Sequence, residues 1–159
     1  MKGQGTEMQI VEITDAEEKR RIASEVLLDL PEWFGLPDST EMYIRESAQM
    51  PFYAAMSEGE TAGFIALKKT SPFAAEVYVM GVKKRYHRCG IGRALMQEFL
   101  RRARAEGCEY AQVKTVAEGH YEEYDRTRLF YEAMGFRALE VFPTLWDEWN
   151  PCLVMVLKL

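Results

Sequence analysis

Hydrophobic positions along the chain change period several times, and each change marks an element. Met8 to Ile13 reads as a short strand, and Thr14-Asp15 can cap the helix that follows from Ala16 to about Leu30, where Pro31 stops it. Glu32 to Pro37 is an aromatic loop, after which Ser39 or Thr40 can cap a second helix through Ala48. Pro51–Met56 and Ala62–Lys68 read as strands joined by a turn at Ser57-Glu58-Gly59-Glu60, so they should pair antiparallel. Ala74 to Val82 is the strongest strand pattern of the chain. Beyond it Ile91, Leu95, Phe99, Leu100 and Ala103 fall on one face of a helix that starts near Gly90 and ends at Gly107. Tyr110–Val116 predicts a strand and Tyr124–Met134 a helix closed by Gly135. Phe136–Phe142 and Leu153–Leu157 predict two last strands, with 143–151 as the loop between them. No repeat or linker interrupts this order. It predicts a single α+β domain over 1–159, with 1–7 as a flexible N-terminus and a mixed, twisted sheet of six or seven strands flanked by helices on both faces.

Composition narrows the class. The 159 residues suffice for one domain with a substantial core, and 48% hydrophobic against 28% charged is a globular balance. No stretch approaches the ~20 apolar residues of a membrane span, and the N-terminus lacks the apolar core of a signal peptide. No membrane association and a cytoplasmic location are the expectation. Cys89, Cys108 and Cys152 are odd in number and far apart, and His87 and His120 add little, so neither disulfides nor a metal is expected. The net charge of −5 argues against nucleic acid as a partner. Its distribution says more: Lys83 to Arg104 carries +7 and the remainder −12. A basic segment on an acidic body suits a polyanionic small ligand and a cationic co-substrate, although Arg101, Arg102 and Arg104 also read as a solvated helix face.

The basic segment holds the candidate chemistry. Strand residues Met80-Gly81-Val82 run into His87-Arg88-Cys89-Gly90-Ile91-Gly92-Arg93, a glycine-bearing turn that opens a helix. Glycines let backbone N–H groups approach a phosphate, and the helix N-terminus adds unpaired donors and partial positive charge. A pyrophosphate fits. A dinucleotide fingerprint would want a third glycine where Leu95 stands, and a P-loop would want Gly-Lys-Ser or Gly-Lys-Thr, which is absent. A helix start with no ligand stays open on this turn alone.

Residues 74–136 resemble the GNAT superfamily of N-acetyltransferases, and the element order over about 8–158 is consistent with it. The family's Gln/Arg-x-x-Gly-x-Gly/Ala motif is matched at both glycines by His87 to Gly92, with His87 departing at the first position. The helix-ending signature aromatic-Tyr-Glu-x-x-Gly-Phe stands as Phe130 to Phe136. The resemblance implies acetyl-coenzyme A as co-substrate. Backbone groups of Met80, Gly81 and Val82 would meet its pantetheine arm and acetyl carbonyl. His87, Arg88, Cys89, Gly90, Ile91, Gly92 and Arg93 would cradle its pyrophosphate, with Lys83, Lys84 and Arg85 near the 3′-phosphate. It places Tyr131 as the general acid for the departing thiolate, a phenol being a reasonable donor to a thiolate of pKa ~8.5. Many members carry Asn seven residues before that tyrosine, where this chain has Tyr124.

An attacking alkylamine must lose a proton, which calls for a carboxylate or a water chain. Glu76, eleven positions before His87, resembles the base glutamate of some members, and it alternates with Tyr78 and Met80 on one strand face. A structural salt bridge is the other reading of Glu76, as ring packing is of Tyr131. Trp33, Phe34, Tyr43, Phe142, Trp146 and Trp149 are a surplus of aromatics that could wall a pocket for a cationic amine or seal a sheet edge. The expected function is N-acetyl transfer to a small-molecule amine by direct attack in a ternary complex, with no covalent cysteine. A homodimer is compatible with the sequence. Two alternatives stay open: a non-catalytic acyl-coenzyme A sensor of the same fold, and a nucleotide-binding protein of another fold.

Overall fold

Asp15 sets the first boundary. Its carboxylate accepts from the Glu18 N–H at 2.9 Å and so caps helix α1 (Ala16–Leu28) just past strand β1 (Met8–Glu12). The computed structural model describes residues 8–117, 119, 121–147 and 149–159; the expected N-terminal segment 1–7 and His120 lie outside the described residues.

Helix α2 (Pro37–Ser47) starts earlier than the capping residues suggested. Pro37 occupies its first turn, where a fixed φ is favourable and a missing N–H costs nothing. Thr40, expected as a cap, donates its hydroxyl instead to the Phe34 carbonyl at 3.1 Å and ties the aromatic loop to the helix. Strands β2 (Phe52–Ser57) and β3 (Glu60–Ser71) form the expected antiparallel hairpin. Its turn places Glu58 and Gly59 both at positive φ, 53° and 78°, the twist that suits a two-residue connection. Strand β4 (Ala74–Val82) has the bounds read from the sequence. A 3₁₀ turn (Lys84–Tyr86) then leads to α3 (Ile91–Ala105), β5 (Tyr110–Val116), α4 (Glu122–Ala133), β6 (Arg137–Asp147) and β7 (Asn150–Lys158).

The seven strands are hydrogen-bonded in the order β1-β2-β3-β4-β5-β7-β6. The sheet is mixed, because β4 pairs β5 in parallel at Ala74–Glu76 while β1–β2, β2–β3, β5–β7 and β7–β6 pair antiparallel. The chain divides into two compact units, one comprising residues up to Lys68 with Tyr78–Arg102, the other Lys69–Val77 with Ala103–Leu159.

In the first unit Ile22, Ala23, Val26, Leu27 and Leu30 form the buried stripe of α1 and its end. They pack with Phe52, Ala54, Phe64, Ala66 and Val79, and the Phe52 and Phe64 rings stack with centroids 5.0 Å apart. Each such large side chain contributes about 1.5–3 kcal/mol by leaving water. Gly63 brings β3 close to β4: a Cβ there would stand 2.7 Å from the Gly81 carbonyl oxygen. Backbone cannot swing aside as a side chain can. Gly63→Ala is therefore expected to destabilise the protein by about 1–3 kcal/mol, read as a lower denaturant midpoint.

In the second unit β7 lies between β5 and β6, and Val113, Tyr131, Phe136 and Met155 are buried. Here one expectation fails. Residues 143–147, read as loop, continue strand β6. β6 is the last strand in the order, and an edge strand tolerates the missing N–H of Pro143. Asp147 accepts from the Trp149 and Asn150 N–H groups at 2.8 and 2.9 Å and closes the turn into β7.

Candidate active site

The basic turn belongs to the first unit. Arg88 and Gly90 both sit at positive φ, 67° and 79°, and a Cβ added at Gly90 would meet nothing within 4 Å. The space beside this backbone is therefore open to a ligand. Helix α3 begins at Ile91, and the first intrahelical bond from Ala94 N–H to the Gly90 carbonyl (3.1 Å) leaves the preceding N–H groups of the helix start outside the helical ladder. Arg88 and Arg93 are exposed, and among the described residues neither has an ion-pair partner. Two guanidinium groups without an ion-pair partner among the described residues, open backbone and a helix N-terminus fit a pyrophosphate. His87, the departure from the family motif, turns its Nε2 to the Val82 carbonyl at 2.7 Å and its ring edge to Trp33. It braces the turn. Cys89 is exposed, its thiol 3.7 Å from the His87 carbonyl oxygen.

The three cations before the turn are differently disposed. Lys83 pairs with Glu25, Lys84 with Glu32 at 2.8 Å and Arg85 with Glu60. Each positive charge is met by a carboxylate of the same unit. Arg101 likewise pairs with Glu98, and Arg102 reaches Glu12 and the Tyr53 hydroxyl at 3.1 Å.

Farther back on β4, Tyr78 and Met80 are half-buried between buried Val79 and Gly81. The Tyr78 hydroxyl donates to Glu46 of α2 at 2.6 Å. Tyr43 packs edge-on against Tyr78 with centroids 5.4 Å apart, and Phe34 packs edge-on against Tyr43. Of the aromatics singled out in sequence, Trp33, Phe34 and Tyr43 therefore join β4 and the turn in one unit. Glu46 was missed, because nothing in the sequence of α2 distinguishes it from exposed Glu41.

The second unit holds Glu76 and Tyr131. Glu76 is buried, and its carboxylate accepts from the Lys114 ammonium at 3.0 Å. Register explains the meeting, since Glu76 pairs with Gln112 and Lys114 stands two residues along β5. Cys152 is fully buried in the same unit. Burial pushes its thiol up to about 11, against the pull of Lys114 and with a further push from Glu76. An unfolded thiol titrates near 8.5. The stabilisation from this thiol is thus complete below about pH 8.5 and is lost as pH rises through about 11. At pH 8 iodoacetamide is expected to alkylate Cys89 and spare Cys152, as read by mass spectrometry of the folded protein.

Tyr131 is buried near the end of α4, its ring edge-on to Phe136 at 5.9 Å and tilted against Phe130. Burial, with the Tyr124 hydroxyl adding to it, holds the phenol well above its ordinary value, so it keeps its proton throughout the neutral range. Tyr124, at the family's asparagine position, packs edge-on against Tyr121, and the following Asp125 accepts the Gly119 N–H at 3.0 Å. Phe142, Trp146 and Trp149 are exposed on β6 and its turn. Among the described residues no cluster of three or more potential ligands could hold a metal ion, and no helix is long and apolar enough to cross a membrane.

These features agree with what the chain is similar to. N-alpha-acetyltransferase RimI of Mycobacterium tuberculosis (strain ATCC 25618 / H37Rv) is 37% identical over 78 residues, a match covering 49% of this chain and 44% of that relative's length. An acetyltransferase of the GNAT family from Desulfovibrio desulfuricans superposes with a TM-score of 0.79 at 19% identity, covering 96% of this chain and 99% of the other. An aminoglycoside 6′-N-acetyltransferase complexed with coenzyme A superposes with a TM-score of 0.74 at 19% identity, over 94% and 96% of the two chains. The sequence model of the Acetyltransferase (GNAT) family matches residues 16–136, a span that takes in the glycine turn, Glu76 and Tyr131, and the chain belongs to that family.

Proposed function

We propose that this acetyltransferase uses acetyl-coenzyme A to acetylate a small-molecule amine by direct attack within a ternary complex. The observation that carries the cofactor reading is the turn at Gly90, where open backbone at positive φ meets a helix start between two arginines without an ion-pair partner among the described residues. Bound there, acetyl-coenzyme A supplies an activated thioester. The amides of residues 88–93 hold its pyrophosphate, His87 fixes the turn, and the backbone of Met80, Gly81 and Val82 receives the pantetheine arm and orients the acetyl carbonyl. Glu76 takes the proton from the attacking amine, and Tyr131 gives one to the departing sulfur. No step passes through a cysteine, since Cys89 sits in the phosphate turn and the thiols of Cys108 and Cys152 are buried.

We read the chain as one catalytic domain over 1–159; the family match, which takes residues from both units, supports this. A cytoplasmic enzyme acting without a metal completes the reading. A homodimer is part of it as well, supported by the exposed Leu139, Val141, Phe142 and Leu145 on an edge strand.

Release of free thiol from acetyl-coenzyme A with a panel of amines tests this reading against a sensor, which binds the cofactor and releases none. Glu76→Gln supplies the second arm, and it keeps an oxygen acceptor for Lys114. Its turnover is expected to fall most at low pH and to recover as pH rises, because free amine then forms without help. A uniform loss across pH assigns Glu76 to structure instead.

A further inference from the structure

Glu46 stands apart from the ion-paired glutamates of its unit, because the group that holds it is a neutral hydroxyl. Glu12, Glu17, Glu18, Glu25, Glu32 and Glu60 are each neutralised by an arginine or lysine within ion-pair distance. Glu46 is half-buried, has no such partner among the described residues, and is held by the Tyr78 hydroxyl at 2.6 Å. A hydrogen bond that short to a carboxylate oxygen is charge-assisted and fixes the group in place. Unlike an ion pair it brings no opposite charge, and it leaves the second oxygen, Oε2, for another donor. The surroundings favour a cation. The Tyr78 hydroxyl reaches the carboxylate, the Tyr43 ring stands edge to face against the Tyr78 ring, and Lys68 Nζ already lies 5.7 Å from the Tyr78 ring centroid. Lys68 is exposed on a flexible stem, so an incoming ammonium can replace it on that face.

We propose that Glu46, positioned by Tyr78, with the Tyr43 ring alongside, is a subsite for a second positive charge on the acceptor, so that the preferred acceptor is a diamine or amino sugar. The assignment rests on the acetyl-transfer reading above. Tyr78 stands two strand residues before Met80, about 7 Å along β4, and Met80 opens the segment proposed to orient the acetyl carbonyl. The carboxylate lies beyond the Tyr78 hydroxyl, at the tip of a side chain on the same strand face as Met80, which suits an ammonium several bonds from the reacting nitrogen. The charge pattern of the sequence, acidic outside 83–104, brings such a polycation to the surface.

The test compares 1,4-diaminobutane with butylamine, which has the same chain and one charge. Wild type is expected to favour the diamine in kcat/KM by about 10- to 100-fold, the scale of one desolvated charge-assisted contact. Glu46→Gln is expected to bring the two amines within about twofold by weakening the diamine alone, mostly through KM. Glu41→Gln, the same charge change at an exposed site on α2, is expected to preserve the preference. Equal use of both amines by wild type, or equal loss of both in Glu46→Gln, overturns the proposal. If acetyl-coenzyme A binds but neither amine is acetylated, the transfer reading fails. Equilibrium dialysis of the two amines with wild type and Glu46→Gln then decides the subsite: diamine-selective binding that vanishes in the variant upholds it, and unselective binding removes it.

Discussion

Tyr131→Phe is expected to lower turnover by about 10²–10⁴-fold, the usual scale of a positioned proton donor, while leaving the fold and coenzyme A affinity intact. The substitution removes only a hydroxyl, and among the described residues that hydroxyl has no hydrogen-bond partner to be orphaned. The ring contacts with Phe130 and Phe136 remain. Burial holds the phenol above its ordinary pKa, which keeps it protonated but makes it a weaker acid. Desolvation moves a thiol in the same direction, as it does the buried Cys152 of this unit. Because desolvation raises both groups, a transfer from phenol to thiolate stays uphill, and the leaving thiol's basicity decides how much the proton matters. The defect is expected to shrink with an acyl donor whose leaving thiol is less basic, because that sulfur departs without a proton. Steady-state rates with two acyl donors check this. Normal turnover by Tyr131→Phe, with acetyl-coenzyme A bound, removes the tyrosine from the chemistry.

Gly90→Val is expected to raise the dissociation constant for coenzyme A by at least about 100-fold. A β-branched residue is a genuine outlier at φ +79°, and holding one there costs about 1–3 kcal/mol. The turn relieves that strain by rearranging, which removes its backbone donors from the phosphate. Where the turn is retained, the added methyl groups fill the space that the ligand needs. Since a Cβ at this position meets no protein atom within 4 Å, the core is not overpacked and the variant is expected to fold. Circular dichroism verifies folding, and calorimetric titration with coenzyme A reads the affinity. Binding equal to wild type would move the cofactor away from this turn.

Much of this was written in local pattern. The cap at Asp15, the bounds of β4 and β5 and the start of α3 follow from side-chain period and from residues that bond or strain their own backbone. Such signals act over three or four residues, and a sequence displays them directly. The glycine turn was legible for the same reason, since positive φ and a helix N-terminus are both local properties. The misreadings share a physical cause. Thr40 had a capping residue's chemistry, but Pro37 had already started the helix, and the hydroxyl found the Phe34 carbonyl instead. Pro143 marked a loop until the strand order placed β6 at the edge, where a missing N–H faces no partner.

Charge shows the division most plainly. By itself the sequence determined the order of elements, the family motifs and the concentration of eight cations between Lys83 and Arg104. Which of those cations stay available was decided only in three dimensions. Glu25, Glu32 and Glu60 come from distant positions to neutralise Lys83, Lys84 and Arg85, whereas Arg88 and Arg93 beside the turn have no ion-pair partner among the described residues. The same holds for the acids. Sequence offered Glu76 as a lone strand carboxylate and gave no sign of Glu46, yet parallel register hands Glu76 to Lys114, and α2 delivers Glu46 to the Tyr78 hydroxyl. Electrostatic partnership depends on distances of a few ångströms between residues tens of positions apart. A hydrophobic period fixes where a strand or helix runs, but only the packing of those elements fixes which charges meet.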